Sequence, residues 1–477
     1  MNYFELGSTK SDNLMRKAHS VVVAVTLFIF SIQSCKKEKL SPEKAIQSFA
    51  FKVQDNDSSI AADMDAVIND DSIVIEMIPG TTVTHLVPSI TFTGKNISPA
   101  NGTPQDFSRP VNYSVTADDG SIITYTVVVR FVPTIYIGDG NGNIDAINAQ
   151  TGKAFWSYLF EGVIQSSPTV FNGTVYIGVD FSLLALDAVT GKKKWIMTSA
   201  KNEITSTPTV VNGVLYVTSW DGNLYAVDPN TGTVNWVATT GNLIRTSPTV
   251  ENGVVYFGND NGDLYAIDAS NGSLKWAYST LSYLTSSPTV ANGVVYEGGE
   301  DGFLYAIDAQ TGAVDWTVLT YAIIDASPTM YNSTVYVGCD DYSFVGSPNN
   351  KVFAVDALTG NVKWTLTMDN TLYSSPSVDQ STLYQGCVDG KLYAIDTVSG
   401  HVVWTVATQG WIKSSPLVAK GKVYFASYDG SLYAVDAGSG KQEWTVNLCA
   451  PNPIDSSPCM LDTDGTIFHP GISGDHP

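Results

Sequence analysis

Eight times the chain repeats one phrase: Ala, an aliphatic residue, Asp (once Asn), two variable residues, Thr, Ser or Asn, Gly, three variable residues, Trp. The tryptophans are Trp156, Trp195, Trp236, Trp276, Trp316, Trp364, Trp404 and Trp444, spaced by 39, 41, 40, 40, 48, 40 and 40 residues. A period of that length describes one supersecondary unit that cannot bury its apolar face alone, so the units must stack on one another. Recurring residues therefore build a scaffold, and function is expected where the copies differ.

One unit, read from Ser286, runs Ser-Ser-Pro-Thr-Val, Asn-Gly, Val-Val-Tyr-Glu-Gly, Asp-Gly, Phe-Leu-Tyr-Ala-Ile-Asp, Thr-Gly, Val-Asp-Trp-Thr-Val. Four short β runs are separated by turn signals, and Asn-Gly and Asp-Gly favour the positive φ angles of tight hairpins. Four strands per unit in radial repetition make a propeller blade. Eight Trp and eight Pro-centred inner strands, at Pro168, Pro208, Pro248, Pro288, Pro328, Pro376, Pro416 and Pro458, predict eight blades over residues 133–477. The first copy has no inner strand of its own and enters at Thr134-Ile-Tyr-Ile-Gly138; Ser456-Ser-Pro-Cys-Met460 supplies the missing one. The two ends are thus expected to close the ring within one blade, which removes the open sheet edges. Thr466-Ile-Phe-His-Pro-Gly471 looks like a further strand without a place in this count.

The front of the chain does not repeat. Lys10, Arg16 and Lys17 precede an apolar run of twelve residues, Val21 to Ile32, too short for a spanning helix. Ser31-Ile-Gln-Ser-Cys35 follows and resembles a bacterial lipobox, which implies a signal peptide over 1–34, lipidation at Cys35 and a tether over 35–45. An ordinary secretory signal is the other reading, and either takes the chain out of the cytoplasm. Residues 46–132 alternate in short runs (Ser48–Val53, Ser72–Met77, Val111–Val115, Ile122–Phe131) with turns at Pro79-Gly80, Asn101-Gly102 and Asp119-Gly120, which predicts a small β-sandwich. Phe107–Gly120 with Tyr125–Val129 resembles the Ig-like modules that open Bacteroidota surface lipoproteins.

Acidic residues outnumber basic ones 46 to 25, for a net charge of −21, which argues against nucleic acid and against anionic membrane as a partner other than through the lipid. Cys339 and Cys387 occupy the same place in neighbouring repeats, while Cys449 and Cys459 flank one loop and leave a bridge open. Five histidines, His19, His85, His401, His469 and His476, form no metal-ligand spacing.

The Ala-x-Asp-x-x-Thr-Gly-x-x-x-Trp phrase, with Asn148 as its one departure at Asp, resembles the PQQ-type repeat and its tryptophan-docking motif. The resemblance implies an all-β, eight-bladed propeller in which the eight Trp are structural. Two functional classes share that fold. Quinoprotein dehydrogenases oxidise alcohols or sugars with PQQ and a metal ion; BamB-like lipoproteins are non-enzymatic scaffolds of outer-membrane β-barrel assembly. This chain lacks the adjacent Cys pair, the CxxCH haem site and the long insertions of the enzymes. Asp139-Gly-Asn-Gly-Asn143 superficially resembles a calcium loop, but it aligns with an ordinary hairpin turn, and Ile144 stands where such a loop requires Gly. The expectation is a non-enzymatic outer-membrane lipoprotein without cofactor, whose propeller engages an envelope protein. A glycan-binding surface lipoprotein and a PQQ-dependent dehydrogenase are the alternatives.

Three irregularities are candidate binding positions. Two residues before the second Ser (or Thr207) of each inner-strand motif stand Gln165, Thr205, Arg245, Thr285, Asp325, Tyr373, Lys413 and Asp455, each preceded by Ile or Leu. This predicts a varied polar ring near one mouth of the central channel. The sixth repeat carries eight surplus residues around Asp341–Asn350, with Tyr342 and Phe344 as candidate anchors. Trp220 and Trp411 fall outside the docking column, as stacking platforms for a glycan or hot spots for a protein.

Overall fold

A computed structural model describes residues 39–280, 282–340 and 350–470. Cys35, Tyr342 and Phe344 lie outside the described residues.

The repeats form eight antiparallel sheets: seven of four strands, ordered from channel to rim as the chain runs, and one of five whose two inner strands come from the end of the chain. Each inner strand is three residues long, as in Thr249–Glu251 of blade four, and passes to its second strand through a turn whose Asn252 and Gly253 have φ of 50° and 76°. Proline is tolerated before these strands because their inner edge faces the channel and needs no ladder donor. In its place, side chains stitch the inner strands together. The Thr249 hydroxyl donates to Pro288 O at 2.6 Å, and the Ser287 amide donates to Ser327 Oγ at 2.9 Å; the same two links recur around most of the ring. The Ser-Ser-Pro-Thr motif is therefore a circumferential hydrogen-bond chain.

The docking phrase is explained by three strands read across. In every blade the repeat Ala lies opposite a second-strand Tyr on one side and the docking Trp on the other, for example Tyr256, Ala266 and Trp276. The small Ala lets the two rings meet, with centroids 5.9 Å apart. Both rings then donate to one carbonyl of the next blade: Tyr256 Oη and Trp276 Nε1 reach Ala309 O at 3.1 and 3.0 Å. The repeat Gly of that next blade lies beneath the indole. A Cβ on Gly312 would stand 2.8 Å from Trp276, and its φ of 74° also favours glycine. The repeat Asp caps the same turn, as where Asp308 Oδ1 accepts from the Thr311 amide and hydroxyl, contacts that hold its carboxyl below the usual range.

The ring closes in blade one. Cys459–Leu461 pairs with Thr134–Gly138, and Trp444 and Tyr424 of blade eight both donate to Ala149 O at 3.1 Å. The extra segment finds a place as well: Ile467–Phe468 pairs on the channel side of Cys459–Leu461 as a fifth strand. Lys420 of blade eight secures it, with Nζ 2.6 Å from Asp462 and 6.0 Å from the Phe468 ring centroid. Cys449 and Cys459 are free buried thiols, so the bridge left open by their spacing is not formed.

Ahead of the propeller, a three-stranded sheet (Met64–Asp65, Ala45–Phe51, Pro88–Thr93) faces a five-stranded one (Val67–Asn69, Ser72–Met77, Ile122–Phe131, Val111–Thr116, Asn96–Ser98). Phe49, Phe51, Phe107 and Tyr113 fill the space between them edge to face. Ser72–Met77 runs parallel to Ile122–Phe131, so the sandwich is mixed rather than wholly antiparallel. It docks on the propeller face that carries the Thr-Gly turns of blades one and two. Lys192 Nζ donates to Asp57 O at 2.6 Å, and Asn148 Nδ2 donates to Glu76 Oε2 at 2.8 Å. The single Asn in the repeat's Asp column is thus where the column meets a carboxylate from the other domain; an Asp there would repel it.

Candidate functional site

The face opposite the sandwich carries the turns between second and third strands and the segments that cross from one blade's rim to the next blade's inner strand. A recurring backbone bond ties these two features in seven of the blades, as where the Trp220 amide donates to Glu203 O at 2.9 Å and the Tyr428 amide to Trp411 O at 2.8 Å. Asp180, Asp260, Glu300, Asp340 and Val388 make the same bond. The mouth is therefore lined by two coupled columns of varied residues.

The apolar column beneath the polar ring is buried in every copy: Ile164, Ile204, Ile244, Leu284, Ile324, Leu372, Ile412 and Ile454. These side chains pack between blades rather than into the channel. Most sit against the last glycine of the previous blade's second strand, where a Cβ on Gly298 would approach Ile324 to 2.2 Å.

The polar ring gathers into clusters. In the first, the Arg245 guanidinium lies 4.9 Å from the Trp220 ring centroid and pairs through Nε with Asp260 Oδ2 at 3.0 Å, while Trp220 Nε1 donates to Thr205 Oγ1 at 2.9 Å. Trp220 is thus covered by the arginine, with its N–H engaged. Burial pushes the Asp260 carboxyl up, against the pull of Arg245. In the second, the Thr285 hydroxyl donates to Asp325 Oδ1 at 2.6 Å; burial raises the Asp325 carboxyl, while this bond and the charges of Arg245 and Lys413 oppose the shift.

The third cluster spans the blades where the ring closes. Lys413 Nζ stands 4.7 Å from the Tyr373 ring centroid, 5.0 Å from Tyr428 and 5.8 Å from Trp411. Trp411 stacks on Tyr428 with centroids 5.7 Å apart and planes 24° apart, and Tyr428 donates its hydroxyl to Asp455. Trp411 keeps 50% of its surface exposed. Gln165 is exposed on the ring outside these clusters.

Sequence reading singled out Trp220 and Trp411 but missed Tyr428, Asp260 and Glu300. A signal existed: Trp220, Asp260, Glu300 and Tyr428 occupy one position, the residue before the Asp-Gly or Asn-Gly turn, and differ there as widely as the ring itself. Reading also missed the Tyr column of the docking motif, Tyr136 to Tyr424, which recurs in all eight second strands.

Among the described residues, no group of three or more His, Cys, Asp or Glu side chains is placed to hold a metal ion. The mouth carboxylates Asp260, Asp325 and Asp455 are engaged by Arg245, Thr285 and Tyr428, and Asp139 accepts from Asn141 N, Asn143 N and Asn143 Nδ2 of its own turn. This donor set does not fit a metal-bound quinone, and no chemical step is derived through one.

Residues 120–242, 221–375 and 348–459 match the sequence family described as outer membrane protein assembly factor BamB, and residues 48–129 match the family described as SGBP, N-terminal. The quinohemoprotein alcohol dehydrogenase of Comamonas testosteroni is 28% identical over 131 residues; the match covers 24% of this chain and 18% of that enzyme, so the chain spans less than a fifth of the curated relative it matches. Among solved structures, BamB from Moraxella catarrhalis superposes with a TM-score of 0.54 at 20% identity, covering 63% of this chain and 90% of that one. A europium-containing methanol dehydrogenase superposes with a TM-score of 0.53 at 15% identity, covering 64% and 80%. At these identities the superpositions show the propeller fold alone.

Proposed function

Because the chain belongs to the BamB family of PQQ-like propeller repeats, whose fold serves both scaffolds and dehydrogenases, we propose on the strength of its mouth that it is a non-catalytic cell-envelope binding protein. One observation carries this reading. Among the described residues, the face turned away from the sandwich is where neighbouring blades differ in charge and aromaticity, and three of its carboxylates are engaged by neighbouring side chains, Asp260 by Arg245, Asp325 by Thr285 and Asp455 by Tyr428, rather than arranged around a reacting atom. The sandwich at residues 48–129 matches a family named for surface glycan binding, which favours a glycan as the ligand and the cell surface as the location, with Cys35 as the lipid anchor. A protein partner is the second reading, favoured by the family match over residues 120–459.

The test is paired capture. The purified protein is presented with envelope proteins under cross-linking and, separately, with polysaccharides, alongside a variant carrying Arg245→Ala, Tyr373→Ala and Lys413→Ala. Loss of one class of capture in the variant identifies the ligand class. Unchanged capture of both rejects the mouth as the binding face. Quinone-dependent dye reduction with alcohols or sugars would overturn the non-catalytic reading.

A further inference from the structure

We propose that the cluster formed by Trp411, Tyr428, Tyr373, Lys413 and Asp455 is a saccharide subsite that takes one pyranose unit of a neutral glycan with gluco configuration. The proposal rests on the glycan reading above and assigns it a place.

The chemistry of a pyranose is two-sided. Its axial C–H groups form an apolar face of about the size of an indole, and its hydroxyls form a rim that both donates and accepts. A site for it needs a flat, exposed, immobile ring with donors and acceptors around its edge. Trp411 meets the first requirement: it is half exposed, and it is held by stacking on Tyr428 and by the backbone bond between Tyr428 N and Trp411 O. A ring already braced on one side loses little side-chain freedom when a ligand covers the other.

The edge requirement is met by charged groups that converge on the same tyrosine. Lys413 Nζ lies over the rings of Tyr373, Tyr428 and Trp411, so its ammonium is positioned with N–H donors to spare. Asp455 accepts the Tyr428 hydroxyl through Oδ1, and carboxylate oxygens accept more than one bond. One positive and one negative group balance within the cluster, in a chain whose overall charge is −21. Local neutrality suits an uncharged ligand, and the acidic remainder of the surface disfavours an anionic one.

Two other aromatic positions on this face, Trp220 and Tyr283, lack that combination. Trp220 lies under Arg245 and has its N–H engaged with Thr205. Tyr283 is 54% exposed, but no ring stacking or cation over its ring accompanies it among the described residues. An apolar protein anchor would call for a wider apolar patch than one indole.

The full chain would be run in affinity gels containing hydroxyethyl cellulose, pullulan or a mannan, and titrated with cellohexaose by tryptophan fluorescence. We expect retardation by a gluco-configured probe, weaker response to mannan with its axial hydroxyl, and quenching on titration. Trp411→Ala should weaken binding by about tenfold or more, Trp411→Phe should restore part of it, and Tyr283→Ala should leave it unchanged. Equal unfolding temperatures would show that the variants fold. Wild-type retardation that Trp411→Ala does not alter would overturn the subsite and leave the glycan reading standing. A wild-type chain that ignores all four probes would overturn both. Loss in Trp411→Ala of cross-linking to an envelope protein, without glycan binding, would reassign the cluster to protein docking.

Discussion

The two faces of the propeller obey opposite rules. On the face that meets the sandwich, the blades repeat: eight Thr-Gly-type turns, each with a capping Asp or Asn and a Gly beneath an indole. On the mouth face, no two neighbouring blades present the same ring residue, from Gln165 to Asp455. Repetition marks where blades hold one another; variation marks where they are free to meet something else. The contrast also shows in the bonds. The docking face is held by carbonyl acceptors reaching between blades, and the mouth by side-chain clusters that differ from blade to blade.

The contrast breaks hardest on the uniform side. Trp276→Ala removes a ring that packs on Tyr256 and Gly312 and an N–H bonded to Ala309 O. It should cost about 3 kcal/mol, read as a lowered denaturant midpoint. Gly312→Ala should destabilise for the complementary reason, since its Cβ would meet the same indole at a backbone angle that L-residues rarely adopt.

The next effect belongs to the one irregularity on that face. Asn148→Asp should place a carboxylate against Glu76 and cost about 2 kcal/mol of domain docking, with the lost charge-assisted bond as the main term. Faster proteolysis between sandwich and propeller would report it. Glu76→Gln in the same chain should restore most of the protection; failure to do so would mean that the contact does not hold the domains.

Between the faces, buried in blade five, Glu297 is fully enclosed, with Oε1 accepting from Ser286 Oγ at 2.8 Å and Oε2 without a partner. Burial pushes its carboxyl well above the usual range, so the folded protein keeps it protonated while the unfolded chain ionises. Its contribution is therefore full below the unfolded-state value, about 4.3, and is lost as pH rises above it. Blade seven has Gln385 at this position, donating to Ser374 O at 2.7 Å. Glu297→Gln should accordingly raise the unfolding temperature more at pH 8 than at pH 5. An equal gain at both would show that the carboxyl is ionised in the fold.

Periodicity made the propeller legible because each recurring residue answers to the same neighbour in the next copy. Trp, Gly, Asp and Pro could be read one column at a time, and so could the closure of the ring by Ser456–Met460. Contacts between different columns could not. Arg245 meets Trp220 from the adjacent blade, and Lys413, beside Trp411 in sequence, meets Tyr373 and Tyr428 from two other segments. No spacing rule links those positions, so the ring could be located and its grouping could not. Asn148 was visible as an exception, but its cause, Glu76, lies 72 residues away in another domain.

The smallest stability effect, and the sharpest test of the contrast, lies at the mouth. Arg245→Ala, Tyr373→Ala and Lys413→Ala remove side chains that are exposed or partly so; the main cost is that the nearly buried Asp260 loses its ion pair, which its carboxyl can answer by taking up a proton, so together they should shift stability by about 1 to 2 kcal/mol. The same triple variant should lose ligand capture. A face on which recurring residues carry the fold and varied residues carry binding must allow the two to be separated in this way. If the triple variant instead unfolds as readily as Trp276→Ala, the mouth clusters are part of the scaffold, and variation there reflects eight different solutions to one packing problem.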